Sequence, residues 1–515
     1  MRKTLGILGL AALFGYGALL ATHAQGVASG ADNSGYMNLA RLFLAGKIRD
    51  ELRVPEGFPT GQFRPWLFTP LGFQPDAQGT SLVPVYPPGL PLQQAVWAWV
   101  LGSVEKGAAA VNVFCGVLFL WLCYRLARLL ALSRTAAGIA ALLLAANPVS
   151  LRFFTWNMSD GPAATWAVAA VYFALRAQKK PSFAALGGLF FALGVTTRPT
   201  NALLLPAIVY ALWRRPKAQM AFVLGAAPLL AAFFWYNHVQ YGAFWRTGYG
   251  SMAREFKLRY FFPTVQHYVV WLARFFSPLA LLPFLSHLLA IRRRETRHLL
   301  LALWWLPFFG FYAFYKYTND TWWYLRFVLP AFPALVLAGV AAFPELSWFV
   351  KERLRLRRAF VLPALFVLLA FGANLFWLRE LRVFALAKDE AIYRQGVQWV
   401  CRETPEKSLV FAGQLSGAFY FYSSRAIVRH DLITSRELSE VLGQSDRLGL
   451  PAFMALFNDE VQTFVRRNPG LVEPSGNFGR VYLFRVRQGA AEAVGKTVSS
   501  PPPRRPSVVP DAKKP

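Results

Sequence analysis

The sequence predicts a polytopic α-helical membrane protein of about eleven spans, amino terminus inside and carboxyl terminus outside, with a C-terminal α/β domain on the outer side. Three observations carry this reading. Of 515 residues, 55% are hydrophobic and only 16% are charged, which is too apolar for an ordinary soluble chain. The Lys and Arg residues behind a net charge of +29 come as short clusters between apolar runs. That is the positive-inside pattern, and it argues against the single basic face that a nucleic-acid partner needs. Past Trp377 the long apolar runs stop, and short helical and strand-like patterns alternate.

Met1-Arg2-Lys3 and the apolar run Leu5 to Ala21 make the first element, just long enough to span. Thr22 and Ala24 also suit a signal-peptide cleavage site, but an uncleaved anchor keeps the following segment tethered. Residues Gln25 to Pro91 are too polar and too rich in Pro and Gly to cross a bilayer, so the region 23–107 reads as a large first outer loop. Within it Asp32 opens a short helix with Tyr36, Leu39, Ala40, Phe43 and Leu44 on one face and Asn38 and Arg41 on the other. Such a helix is expected to lie flat at a membrane surface.

Further spans are expected at Ala108–Tyr124, Ala136–Pro148, Pro162–Leu175, Phe183–Thr196, Ala202–Trp213, Ala218–Tyr236, Tyr268–Ile291, Leu299–Phe314, Leu325–Phe343 and Phe360–Trp377. Basic clusters fall in alternate connections: Arg125, Arg128 and Arg134; Arg176, Lys179 and Lys180; Arg214, Arg215 and Lys217; Arg292 to Arg294 with Arg297; and Lys351 to Arg358. These set the orientation. Counting the apolar stretch Leu90 to Gly102 as a span inverts every later basic loop, so it reads as a juxtamembrane or re-entrant helix on the outer side. Asn237 to His267 is assigned outside despite Arg246, Arg254, Lys257 and Arg259.

Three regions result: a membrane core over 1–378, an outer α/β domain over 379–490, and a disordered tail over 491–515 that is poor in apolar residues. Helical patterns at Asp389–Val400, Arg436–Leu442 and Glu460–Arg467 alternate with the apolar runs Leu409–Ala412, Ala426–Val428 and Val481–Phe484. Cys115, Cys123 and Cys401 are the three cysteines, which indicates neither a disulfide framework nor a thiolate metal site.

With this topology the unusual polar residues share the outer side: Asp32, the turn Tyr86-Pro87-Pro88-Gly89, Asp160, Arg198, His238, Lys316 and Arg326. Each has an ordinary structural role open to it. Asp32 and Asp160 suit helix N-caps, the arginines and Lys316 can snorkel to the interface, and Gly89 can supply a positive φ in its turn. Trp322, Trp323 and Tyr324 suit an aromatic belt. Three cations placed against the charge bias beside two isolated carboxylates point instead to an anionic ligand at the outer surface.

The ordered set Asp32-Asn33-Ser34-Gly35-Tyr36, Tyr86-Pro87-Pro88-Gly89, Asn147-Pro148, Ser159-Asp160-Gly161-Pro162, Thr197-Arg198-Pro199-Thr200 and Leu325-Arg326-Phe327-Val328-Leu329-Pro330 resembles the integral-membrane C-type glycosyltransferases over about residues 1 to 345. These are related to protein O-mannosyltransferases, lipid A aminoarabinose transferase and bacterial lipopolysaccharide-core transferases. The resemblance implies a hexosyl- or pentosyltransferase in a bacterial inner membrane, using a polyprenyl-phosphate sugar donor at the periplasmic face. The acceptor is a lipid, glycan or protein. Asp32 matches the catalytic carboxylate of the first outer loop. Arg198 and Arg326, with Lys316, are expected to hold the donor phosphate, and Tyr36, Tyr86, Asp160 and His238 to line the substrate site.

Asn33 and Ser34 stand where the commoner pattern has a second acid, and a single carboxylate rarely holds a divalent cation, so no metal or other cofactor is expected. One base without an enzyme nucleophile suits inversion at the anomeric carbon. The competing reading is a transporter or flippase of lipid-linked sugars, which should carry mid-span charges and two related halves. A third is a scaffold acting through its carboxy-terminal domain, for which Asp32 is dispensable.

Overall fold

A computed structural model describes residues 2–487, 489 and 491, apart from 60, 277–278, 285, 288–295, 354, 356 and 469. The expected basic cluster Arg292 to Arg294 and the expected tail from 492 onward lie outside the described residues. The chain divides into two compact units, Met1–Asp50 with Val83–Ala391, and Glu51–Leu82 with Ile392–Pro515. The expected first outer loop is therefore split. Phe58, Phe63, Leu67 and Phe68 are buried with Leu409, Phe411 and Val428 in the core of the second unit, because that polar stretch builds no long helix to cover them itself. The boundary expected after 378 falls after Ala391.

The first unit is helical. By length and composition, four helices among the described residues are able to cross a membrane: Val104–Leu129, Pro216–Tyr241, Trp322–Glu352 and Val361–Glu380. A fifth is the pair Arg134–Ala146 and Pro148–Thr155, bent by 62°. The bend has a local cause. Asn147 Oδ1 accepts the backbone N–H groups of Val149 and Ser150, and Pro148 opens the next helix, so the expected span Ala136–Pro148 is one limb of a broken helix. Other expected spans are shorter apolar helices, including Phe183–Thr197 and Pro199–Ala211. The first of these packs closely on Pro216–Tyr241. A Cβ on Gly188 meets Phe222 O at 1.9 Å, and one on Gly225 meets Ala185 O at 2.0 Å, so only glycine admits this backbone contact.

The helix Asp32–Leu44 forms where the spacing predicts it, but it is not a surface helix. Asn33 through Ala40 are all buried, including Asn38, which was expected on a solvated face. Arg41 Nη2 donates to Asn38 Oδ1 at 3.1 Å, which removes the need for Asn38 to face water.

The second unit is α/β. Strands β1 (Leu409–Ala412), β2 (Ile427–Val428), β3 (Ala452–Phe457), β4 (Val472–Phe478) and β5 (Val481–Val486) form one sheet in the order β2–β1–β3–β5–β4. Strands β2, β1 and β3 are parallel; β5 is antiparallel to both β3 and β4. The sequence reading anticipated three of these strands. It missed β3, an unbroken buried run between Ala452 and Phe457, and β4, whose side chains are largely exposed. Arg64 Nη2 donates to Glu437 Oε2 at 2.8 Å, and this Arg64 contact holds the Glu437 carboxyl down to about 2.

Candidate active site

Two carboxylates that begin helices come together in the first unit, and neither is a cap. Asp32 is the first residue of Asp32–Leu44 and Asp160 the first of Asp160–Arg176; the cap positions are Ala31 and Ser159, and neither makes a side-chain cap hydrogen bond. Both carboxylates still favour the positive ends of their helices. Each faces an arginine far away in the chain. Asp32 Oδ2 lies 3.5 Å from Arg326 Nη1, and Asp160 Oδ1 lies 2.5 Å from Arg198 Nη1.

The environments of the two pairs differ. The Asp160 side chain is fully buried while that of Asp32 is 34% exposed, so Asp32 is the carboxylate open to a ligand. The Asp160–Arg198 pair is a fixed element of the wall. Phe327 lies against both guanidinium groups, 5.2 Å from Arg198 and 5.1 Å from Arg326. Tyr312 stacks on Phe327 at 5.0 Å and donates to Thr200 Oγ1 at 2.9 Å, fixing the segment that follows Arg198.

The turn at Tyr86 closes one side. The rings of Tyr36 and Tyr86 are 4.9 Å apart, Tyr36 OH donates to Ser159 Oγ at 3.1 Å, and the Tyr86 hydroxyl lies in the field of the Asp32 carboxylate. Burial, reinforced by the Asp32 charge, raises both phenols well above their ordinary range, so both remain hydrogen-bond donors at neutral pH. Gly89 is required here for a reason other than positive φ. A Cβ there meets the Thr196 carbon and the Thr197 nitrogen at 2.4 Å, so the turn sits directly on the backbone that ends in Arg198.

A family model described as dolichyl-phosphate-mannose-protein mannosyltransferase matches residues 85–236. No curated protein matches the chain by sequence. Among solved structures, ArnT from Cupriavidus metallidurans bound to undecaprenyl phosphate is similar, with a TM-score of 0.56 and 15% identity over 95% of this chain and 99% of that chain. The apo state of that ArnT gives a TM-score of 0.56 and 14% identity, over 94% and 98%. The chain has the fold of the membrane C-type glycosyltransferases. The Archaeoglobus fulgidus oligosaccharyltransferase in its apo form is more remote, with a TM-score of 0.47 and 13% identity over 93% of this chain and 74% of that chain.

On this C-type glycosyltransferase fold, the expected site residues Asp32, Tyr36, Tyr86, Asp160, Arg198 and Arg326 converge. Lys316 and His238 do not join them. Lys316 Nζ pairs with Glu255 at 3.6 Å and is 46% exposed, and the His238 ring stacks on Phe244 at 4.7 Å. Trp322 and Trp323 are not a simple lipid-facing belt, since both lie against the guanidinium of Arg152 and Trp323 also lies against that of Arg326. Arg152 and Tyr249 were missed in the sequence. Arg152 reads as one more basic residue near a helix end, and Tyr249, whose ring meets Tyr86 at 5.9 Å, sits in a loop with no periodic pattern. Among the described residues no three His, Cys, Asp or Glu side chains gather to hold a metal ion.

An apolar cavity of about 460 Å³ lies between the helices Phe261–Phe276, Thr296–Tyr312 and Phe332–Ala341. None of Leu90 to Gly102, the stretch expected as an outer-side helix, lines it.

Proposed function

We propose that this chain is a membrane glycosyltransferase that moves a sugar from a polyprenyl-phosphate donor to an acceptor hydroxyl, with inversion, on the periplasmic face of a bacterial inner membrane. The observation that carries the reading is the half-open Asp32 carboxylate beside Arg326, backed by the closed Asp160–Arg198 pair. In support, the ArnT structure that the chain resembles is bound to undecaprenyl phosphate.

In the proposed step Asp32 takes the proton of the acceptor hydroxyl. The acceptor oxygen forms its bond to the anomeric carbon as the bond from that carbon to the phosphate oxygen breaks, and the electron pair leaves on the polyprenyl phosphate. Arg326 stabilises the leaving anion through charge-assisted hydrogen bonds, while Arg198, held by Asp160, supports the wall behind it. Tyr86 orients Asp32. The apolar cavity seats the prenyl chain. Because both carboxylates already face arginines, the step is proposed to need no divalent metal. The topology that accompanies this reading has about eleven spans, the amino terminus in the cytoplasm and the second unit outside.

The test is transfer of radiolabelled sugar from a mixture of polyprenyl-phosphate sugars to a membrane acceptor extract, comparing the intact protein with Asp32→Asn. Transfer that is lost in D32N at equal folded amount supports the assignment. Equal transfer by both proteins removes Asp32 from the chemistry, and lipid binding without transfer favours a transporter.

A further inference from the structure

Asn33 follows the proposed base directly, and its side chain turns away from the site into the protein. In the amide orientation that satisfies both of its polar atoms, its nitrogen donates to the Asn157 carbonyl, and its oxygen accepts Ser29 Oγ at 2.7 Å and Trp156 Nε1 at 2.8 Å. Asn33 is buried, and Asn157 is fully buried. The irregular segment that Asn33 grips leads straight into Ser159 and Asp160. Two other amides hold the same segment: Asn112 Nδ2 donates to Trp156 O at 2.8 Å, and Gln94 Nε2 to Asn157 Oδ1 at 2.6 Å.

The contacts then return to their starting point. The Trp156 ring meets the Trp323 ring at 5.5 Å, Trp323 lies 5.5 Å from the Arg326 guanidinium, and Arg326 faces Asp32. Trp323 is also 5.2 Å from the Arg152 guanidinium, so one indole contacts two arginines. Asp32, Asn33, Trp156, Trp323 and Arg326 thus form a closed ring of contacts drawn from three separate stretches of chain.

We infer that Asn33 is a positioning residue which, through Trp156 and Trp323, sets the approach of Arg326 to Asp32. This rests on the transferase reading above. The position demands an amide. A carboxylate of the same shape accepts from Trp156 but cannot donate to the Asn157 carbonyl, and it places an unpaired charge in a buried pocket. Alanine loses all three hydrogen bonds.

The experiment is a double-mutant cycle on kcat/KM for sugar transfer, normalised to folded, membrane-inserted protein, with Asn33→Ala and Trp323→Ala. If the two residues act through one ring, each single variant falls by about tenfold or more and the double variant is little worse than the poorer single. Asn33→Asp falls with Asn33→Ala. Should Trp323→Ala not fold, Trp323→Leu, which fills much of the space but removes the ring beside Trp156 and Arg326, takes its place in the cycle. An Asn33 that only stabilises the fold gives a lower yield with unchanged kcat/KM per folded molecule, or effects that multiply independently with those at Trp323; either outcome overturns the inference. A wild-type protein that transfers no sugar from any polyprenyl-phosphate donor overturns the transferase reading and this inference with it. Wild-type transfer with independent effects overturns the inference alone.

Discussion

The two carboxylates make opposite predictions, although each begins a helix and each faces an arginine. Asp32 is one-third exposed and 3.5 Å from Arg326. At that separation Coulomb attraction is about 1 kcal/mol in water and about 5 kcal/mol at an effective dielectric near 20. Solvent access to Asp32 places its contribution to stability toward the low end, ~1–2 kcal/mol. Asp160 is fully buried against an Arg198 side chain that is only 16% exposed, and removing one partner of such a pair strands the other, at about 3–5 kcal/mol. Asp32→Asn is therefore expected to lower the transfer rate by about 10²–10⁴, the range for loss of a general base, with little change in unfolding. Asp160→Asn is expected to unfold far more readily. Thermal unfolding in detergent, run beside labelled-sugar transfer per folded molecule, measures both. The reasoning fails if D32N is as unstable as D160N, or if it keeps more than about a tenth of the wild-type rate per folded molecule.

Gly89→Ala drives a Cβ into the Thr196–Thr197 backbone and is expected to cost about 1–3 kcal/mol and displace Arg198, read as lower unfolding temperature together with weaker donor binding. Gly310 lines the apolar cavity, and a Cβ there meets open space. Gly310→Leu should therefore fold at least as well as wild type, since leucine suits a helix better than glycine, yet raise KM for long-chain donors by about tenfold relative to short-chain ones. Transfer after exhaustive EDTA treatment should stay within about twofold of the untreated rate, because no single carboxylate here replaces its arginine with a metal at low cost. In the second unit, the folded-state carboxyl of Glu437 lies below its unfolded value. Its stabilisation is thus complete above about pH 4.5 and is lost as pH falls toward 2; screening at the exposed Arg64 limits it to ~1 kcal/mol, and Arg64→Ala should flatten acid unfolding over that window.

Hydropathy and charge spacing made the class of the molecule legible. A span or an amphipathic helix is a local pattern, and so is the alternation of basic connections, so both can be read along the chain without knowing what each stretch touches. The helix from Asp32, the change of composition after Trp377 and the grouping of Asp32, Asp160, Arg198 and Arg326 followed in that way. Pairing was not legible. An acid before an apolar helix looks like a cap whether or not its carboxylate turns back to the backbone, and Asp32 and Asp160 turn instead to arginines on distant elements.

The same limit explains the differences found at the first loop and its helix. Phe58, Phe63, Leu67 and Phe68 are too few and too irregularly spaced to show which core they enter, and only the sheet beginning at Leu409 supplies one. An amphipathic pattern promises a buried face and a wet one, yet Asn38 and Asn33 are inside because specific partners satisfy them. The sequence by itself determined that this is a helical membrane chain with an α/β unit and a set of unusual polar residues among its apolar runs, because the bilayer imposes those constraints residue by residue. Tertiary structure alone decided which carboxylate stays open, which is locked, and that Asn33, Trp156 and Trp323 link Asp32 to Arg326 through contacts. Those are contacts between residues far apart in the chain, where burial and hydrogen-bond geometry rather than local propensity fix the outcome.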